Sequence, residues 1–244
     1  MKIPVIKLKT IDSTNNYIAG VKENYRPQTF AVVAAEQTAG RGQEGNKWHS
    51  EPDKNLLFSV CVFPENLRAD AQFMFNKTVS LSVVKALSEY VNNKISIKWP
   101  NDIYVEDKKI SGILIEHSVR GASINDSVAG IGVNINQCEF LPSLPNPVSL
   151  KLLTSKDYKL VQCFDVFLKS FEMYYSKLMN CDWDSLNKEY LQYLYALNLV
   201  RKYKYKGNCI TAQIIGTDVY GRLQLADHTG KIILCNFKEI EFLN

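Results

Sequence analysis

Residues 95–116 read Ile95-Ser96-Ile97-Lys98-Trp99-Pro100-Asn101-Asp102-Ile103-Tyr104-Val105-Glu106-Asp107-Lys108-Lys109-Ile110-Ser111-Gly112-Ile113-Leu114-Ile115-Glu116. Short β-branched and aromatic runs are broken by Pro100-Asn101-Asp102 and by the charged tetrad Glu106-Asp107-Lys108-Lys109. The pattern predicts a strand over 95–99, a break, and a hairpin of 103–105 with 110–116. Toward the N-terminus, Val5–Leu8 reads as a short strand. Asp12-Ser13-Thr14 are capping residues for a helix through Val21. The small apolar run 30–35 is a buried strand, 37–55 lacks any period, and 56–63 is a strand ended by Pro64. Apolar residues at three- and four-residue spacing, among them Phe75, Val79, Val83 and Leu87, predict a core-facing helix over 72–92.

Toward the C-terminus the reading is a strand over 128–135, a loop marked by Pro142, Pro145 and Pro147, and amphipathic helices over 160–179 and 183–197. Beyond Leu199 only short β-like runs follow, at 200–205, 209–215, 222–225 and 232–235, with glycines between them. The expectation is two domains, 1–197 and 198–244. The first is α+β with a mixed, mostly antiparallel sheet. The second is a small β-barrel docked on it, since about 45 residues bury little core alone.

The chain has 244 residues, 46% hydrophobic and 22% charged, which excludes a disordered chain or a coiled coil. No apolar run approaches the roughly 20 residues that span a bilayer, and the N-terminus lacks an apolar signal core. A cytoplasmic protein without membrane partners is expected. Net charge is +4, and the densest basic stretch is Arg201-Lys202-Tyr203-Lys204-Tyr205-Lys206. Its alternation suits a strand with one wet face; contact with nucleic acid is the other reading, and the strand is preferred. The six cysteines form no CxxC and no histidine pair has zinc spacing, so they read as reduced thiols, mostly in the core.

Four stretches could carry chemistry. Gln37-Thr38-Ala39-Gly40-Arg41-Gly42-Gln43-Glu44-Gly45-Asn46-Lys47-Trp48 places three glycines around an arginine. Glycines admit φ > 0, so backbone N–H groups can converge on an anion beside the guanidinium. A plain surface loop is the alternative, and neither GxGxxG nor a Walker A pattern is present. Lys98–Asp102 and Lys109-Ile110-Ser111-Gly112 are each a hairpin turn or a site. In Gly130-Ile131-Gly132-Val133-Asn134 the alternate glycines leave one strand face bare, a floor for a ligand.

In this order, together with Ser13-Thr14-Asn15, these motifs resemble those of the biotin protein ligases, over about residues 5–140. The resemblance implies a class II synthetase-like catalytic domain with a C-terminal SH3-like barrel. It implies biotin and ATP as substrates with Mg²⁺, biotinyl-5′-AMP as intermediate, and a biotin carboxyl carrier protein or domain as acceptor. A homodimer is compatible with it, and nucleic acid is not an expected partner. By the same resemblance Lys109 and Arg41 are catalytic. Ser13, Thr14, Asn15, Gln37, Arg41, Gly42, Gln43, Lys109 and Gly112 would bind biotin. Gly40, Arg41, Trp48, Asn101, Lys109 and Asn134 would bind ATP. Metal ligands stay open, with Asn101 and Asp102 as candidates. Gln43 stands where members often carry arginine, and Asn46 where they carry a basic residue, which predicts a weaker hold on the acyl-adenylate. The Ser-Thr-Asn motif starts at 13, so a preceding DNA-binding domain and a repressor role are not expected. A lipoate or octanoate ligase or transferase of the same fold is the alternative enzyme, and a sensor that lost the chemistry the alternative non-enzyme.

Overall fold

The computed structural model describes residues 3–243; Met1, Lys2 and Asn244, at the outer ends of the two expected domain ranges, lie outside it. The chain runs β1 (Val5–Ile11), α1 (Thr14–Val21), β2 (Phe30–Gln37), β3 (Leu56–Val62), α2 (Gln72–Leu87), β4 (Ile95–Lys98), β5 (Asp102–Val105), β6 (Lys108–Arg120) and β7 (Ser123–Val133). Then come α3 (Leu150–Thr154), α4 (Leu160–Met179), α5 (Trp183–Tyr193) and strands β8 (Val200–Tyr205), β9 (Asn208–Thr217), β10 (Leu223–Asp227), β11 (Ile232–Cys235) and β12 (Ile240–Phe242).

Seven strands form one sheet in the order β1-β2-β3-β7-β6-β5-β4, and five form a second, β11-β10-β9-β8-β12. β1 and β2 are parallel, because α1 carries the chain back across the sheet between them. Every other pairing between two of these strands is antiparallel. The mostly antiparallel α+β architecture is therefore the one expected, with a small all-antiparallel unit at the end. β3 is buried at every position, as a strand covered on both faces must be. On one side Phe58 packs edge-on against Phe164 and Phe167 of α4, and Phe75 of α2 packs against Phe171.

Several boundaries differ from expectation, for local or tertiary reasons. α2 ends at Leu87 rather than 92, because Glu89 and Tyr90 donate to Ala86 and Leu87 in tight turns. α5 ends at Tyr193 rather than 197: Leu194 leaves helical backbone and Tyr195 N–H donates to Ile97 O at the edge of β4, 2.9 Å away. Pro100-Asn101-Asp102 is not merely a break. Lys98 pairs with Asp102, and Trp99-Pro100-Asn101 is the turn of a further hairpin. α3, capped by the Ser149 side chain, and β12 were not foreseen. The cysteines divide evenly, with 61, 163 and 235 buried and 138, 181 and 209 exposed, all free, so they are not mostly core residues. Of the exposed ones, Cys138 lies in an irregular segment, Cys181 in a turn and Cys209 on the wet face of β9. The basic stretch is β8, with Tyr203 buried and Lys204 and Lys206 paired to Glu241 and Glu239.

The two sheets meet at the turn before β5. Trp99 Nε1 donates to Gly221 O at 2.9 Å, and the Phe237 ring lies 5.0 Å from the Trp99 ring. Gly221 has φ 86°, and a Cβ there would run into the Phe73 ring. Gly221→Ala combines a left-handed backbone penalty with overpacking, about 2–4 kcal/mol together. The expected result is a melting temperature lower by about 5–15 °C in a thermal scan; an unchanged value would show that this junction yields freely.

Candidate active site

The site starts from register. Gly112 of β6 faces Gly132 of β7, and Leu114 faces Gly130, so three residues without side chains adjoin on one face of the sheet. Two side chains occupy the space they leave. A Cβ on Gly112 would stand 2.9 Å from Trp48 Cζ3, and one on Gly132 would strike the Trp48 indole. A Cβ on Gly130 would strike the Asn15 amide. The loop from Gly40 to Trp48 is thereby laid over the glycine floor. It enfolds a cavity of about 160 Å³ whose wall includes Ser13, Thr14, Asn15, Gln37, Arg41, Gly42, Gln43, Trp48, Asn101, Asp102, Lys109 and Gly112.

The loop is a small hairpin. Trp48 N–H donates to Gly40 O at 3.0 Å and Gly42 N–H to Asn46 O at 2.7 Å. Of its three glycines only Gly45 has positive φ, 87°. Gly40 and Gly42 serve close approach instead: a Cβ on Gly42 would stand 3.2 Å from Asn46 O. The expectation that these glycines turn N–H groups toward an anion through φ > 0 is therefore corrected.

The cavity has two chemically different ends. At one, neutral polar groups lock together. Thr14 donates from its N–H and its Oγ1 to Gln37 Oε1 at 2.7 and 3.0 Å. Ser59 Oγ, fully buried on β3, lies 2.6 Å from both Thr14 Oγ1 and Asn15 Oδ1, and Asn15 Nδ2 donates to Glu116 Oε2 at 2.8 Å. At the other end Lys109 Nζ lies 2.6 Å from Asp102 Oδ1 and 5.9 Å from the Trp48 ring centroid. Arg41 stands at the mouth, donating to Glu116 Oε1 and to Asn16 Oδ1, both at 2.8 Å. Lys98, a step further out, is held below the usual lysine range by burial, with Lys109 and Arg201 nearby adding to the effect and Asp102 opposing it.

Trp48 Nε1 is buried without a hydrogen-bond partner. An unpaired buried donor costs about 1–3 kcal/mol, and this one faces the glycine floor, where a Cβ on Gly132 would stand 2.7 Å from Nε1. Among the described residues no cluster of three or more His, Cys, Asp or Glu could hold a metal ion. Asp102 is the carboxylate in the cavity wall.

Two residues expected at the site stand apart from the cavity. Asn134 is behind the floor, its Nδ2 donating to Val148 O at 3.0 Å and its N–H to Ile110 O. Gly40 borders a more open cavity outside the loop, of about 950 Å³, together with Arg41 and Glu116. Sequence reasoning missed Ser59, Glu116 and Lys47, the last of which lines the cavity from within the loop. Ser59 was visible as the lone hydroxyl within Leu56–Phe63. Lys47 lay within the quoted Gln37–Trp48 stretch, whereas for Glu116 the sequence carried no signal.

The model of the biotin/lipoate A/B protein ligase family matches residues 8–134. The chain is 33% identical over 128 residues to the bifunctional ligase/repressor BirA of Bacillus subtilis, covering 52% of this chain and 39% of that protein. It is 35% identical over 105 residues to the biotin–[acetyl-CoA-carboxylase] ligase of Paracoccus denitrificans, covering 43% of each. The matches thus span less than half the length of these relatives. The fold is similar along its whole length to the biotin protein ligase from Aquifex aeolicus in complex with biotin and ATP, with a TM-score of 0.80, 27% identity and 99% of each chain covered.

Proposed function

This chain belongs to the biotin/lipoate A/B protein ligase family, and from that premise we propose that it is a biotin ligase acting on a biotin carboxyl carrier protein or domain. In the first step a carboxylate oxygen of biotin attacks the α-phosphorus of ATP; the Pα–O–Pβ bond breaks and pyrophosphate leaves. In the second, the ε-amine of a carrier lysine attacks the acyl carbon, AMP leaves, and the amine proton passes to solvent. The observation that carries this reading is one cavity with a neutral hydrogen-bonding end and a cationic end. A ureido ring needs paired donors and acceptors, which Thr14, Asn15, Gln37 and Ser59 offer. Two anions brought together need positive charge that is already in place, which Lys109 and Arg41 offer.

In this reading Lys109 exchanges Asp102 for the carboxylate and α-phosphate oxygens and steadies charge in both steps. Arg41 closes the mouth over the phosphate, and Gly42, Gln43 and Gly112 border the biotin chain. The Trp48 ring lies against the nucleotide, which Asn101 also touches. Gly40 and Asn134 act indirectly, through the loop backbone and the floor. ATP is the substrate and Mg²⁺ its companion. Asp102 fits that ion, because Mg²⁺ is commonly held by one or two carboxylates and substrate phosphates; when bound it would neutralise phosphate charge. The domain division proposed is 1–197 and 198–244. A reducing cytoplasm suits six free thiols, and no helix among the described residues is long and apolar enough to cross a membrane.

The test is ATP–pyrophosphate exchange. Exchange that depends on biotin supports the reading, and exchange without biotin or none at all overturns it. A finer outcome concerns Gln43, which lines the cavity without charge. Gln43→Arg is expected to slow release of labelled biotinyl-5′-AMP in the absence of acceptor. The gain is modest, about 0.2–1 kcal/mol, because the loop is partly wet. Equal or faster release would place position 43 away from the phosphate.

A further inference from the structure

We propose that the groove between α2, α5 and the β9–β10 turn is a second binding site, for a small organic monocarboxylate with an apolar or aromatic body. The groove holds about 360 Å³ and shares no lining residue with the first cavity. Lys77 of α2 lines it and is only 6% exposed. Its ammonium donates to Asn187 Oδ1 at 2.7 Å and sits 5.3 and 5.2 Å from the ring centroids of Phe73 and Tyr190. Among the described residues no carboxylate lies within 4.0 Å of it.

The carboxylates around the groove are already engaged. Asp218, which attracts Lys77 from the opposite wall, accepts from Arg222 Nε at 2.6 Å and from the N–H groups of Tyr220 and Arg222 at 3.0 and 2.8 Å. Asp70 at the rim accepts from Arg68 at 2.6 Å. Lys77 is left as a buried cation with no ion pair in direct contact, Asp218 attracting it only from across the groove, where methionine would fill a similar volume without the cost of burying a charge. Burial brings its amine down to about 8, which leaves it mostly cationic at neutral pH.

The opposite wall supplies a second donor. Thr217 Oγ1 is buried without a partner and its residue lines the same groove. A cation and a hydroxyl on residues that line one groove match a carboxylate head once the Thr217 side chain rotates toward it. Met74, Trp183 and Leu191 form apolar walls, and Val219 and Tyr220, 73% and 60% exposed, form a rim that an apolar body would cover. One unpaired cation suits a monoanion better than a phosphate dianion. This inference is independent of the function proposed for the first cavity.

The test titrates phenylacetate, and its neutral analogue phenylacetamide, into the full chain labelled with ¹⁵N. The readout is the indole N–H resonances, with Trp183 assigned by Trp183→Phe. Phenylacetate is expected to shift the Trp183 resonance saturably. Lys77→Met and, separately, Val219→Glu at the exposed rim are each expected to weaken that binding by about tenfold or more, the worth of one charge-assisted contact. Phenylacetamide is expected to bind more weakly than phenylacetate and equally to parent and Lys77→Met. No saturable shift at Trp183, a shift confined to Trp48, or phenylacetate affinity unchanged in the variants overturns the proposal. Val219→Glu decides alone if Lys77→Met does not fold.

Discussion

Replacing Lys109 by alanine is expected to slow formation of biotinyl-5′-AMP by about 100- to 1000-fold, the usual cost of removing one charge-stabilising donor from a reacting centre. Lys109 Nζ lies in the cavity wall and its ion pair is with Asp102, at 2.6 Å. Both partners are partly exposed, 30% and 25% at the side chain, so the pair itself adds little to stability. The fold should therefore survive, and a melting temperature close to the parent's separates a chemical defect from a structural one. The loss should fall on single-turnover adenylation more than on biotin affinity, because attraction to charge gathering in the transition state acts on rate. An alanine variant that makes the adenylate at the parent rate would reduce Lys109 to a turn residue.

The second large effect concerns substrate choice. Biotin is expected to be activated in preference to lipoate by about 10⁴-fold or more, the discrimination reached when a site built to hydrogen-bond a polar group receives a ligand that lacks it. Thr14, Asn15 and Ser59 are buried, and Gln37 is held against Thr14 by two hydrogen bonds. A dithiolane ring offers their remaining donors and acceptors no partners, so the hydrogen bonds that a ureido ring would add are lost. Biotin-dependent and lipoate-dependent pyrophosphate exchange, compared at equal concentration, measures the ratio. Comparable rates would shift the reading to the lipoate branch of the family.

Much of the site could be read along the chain, because its residues fall in short contiguous motifs. Ser13-Thr14-Asn15, Arg41–Gln43, Asn101-Asp102, and Lys109 with Gly112 all reach one cavity. The partners of those residues could not be read. Glu116 engages both Arg41 and Asn15, yet in sequence it is only a charged residue near the middle of a long strand. Ser59 was conspicuous as a hydroxyl in an apolar run, but its contact with Thr14 and Asn15 depends on how α1 lies against β3.

Periodicity and turn chemistry, which are local, determined the bare glycine face of β7 and most of the succession of strands and helices, though not α3, β12 or the β4–β5 hairpin. Composition determined that the chain is an ordinary folded protein. Tertiary structure alone decided where α5 stops, since a backbone hydrogen bond to Ile97 ends it. It also decided that the β4–β5 turn is clasped by Gly221, some 120 residues later (|i−j| = 122), and that Lys77 is buried while its neighbours' charges are matched elsewhere. The division has one cause. Backbone preference acts over a few neighbouring residues, whereas the partner of a buried polar group is whichever group the packing of distant elements delivers to it.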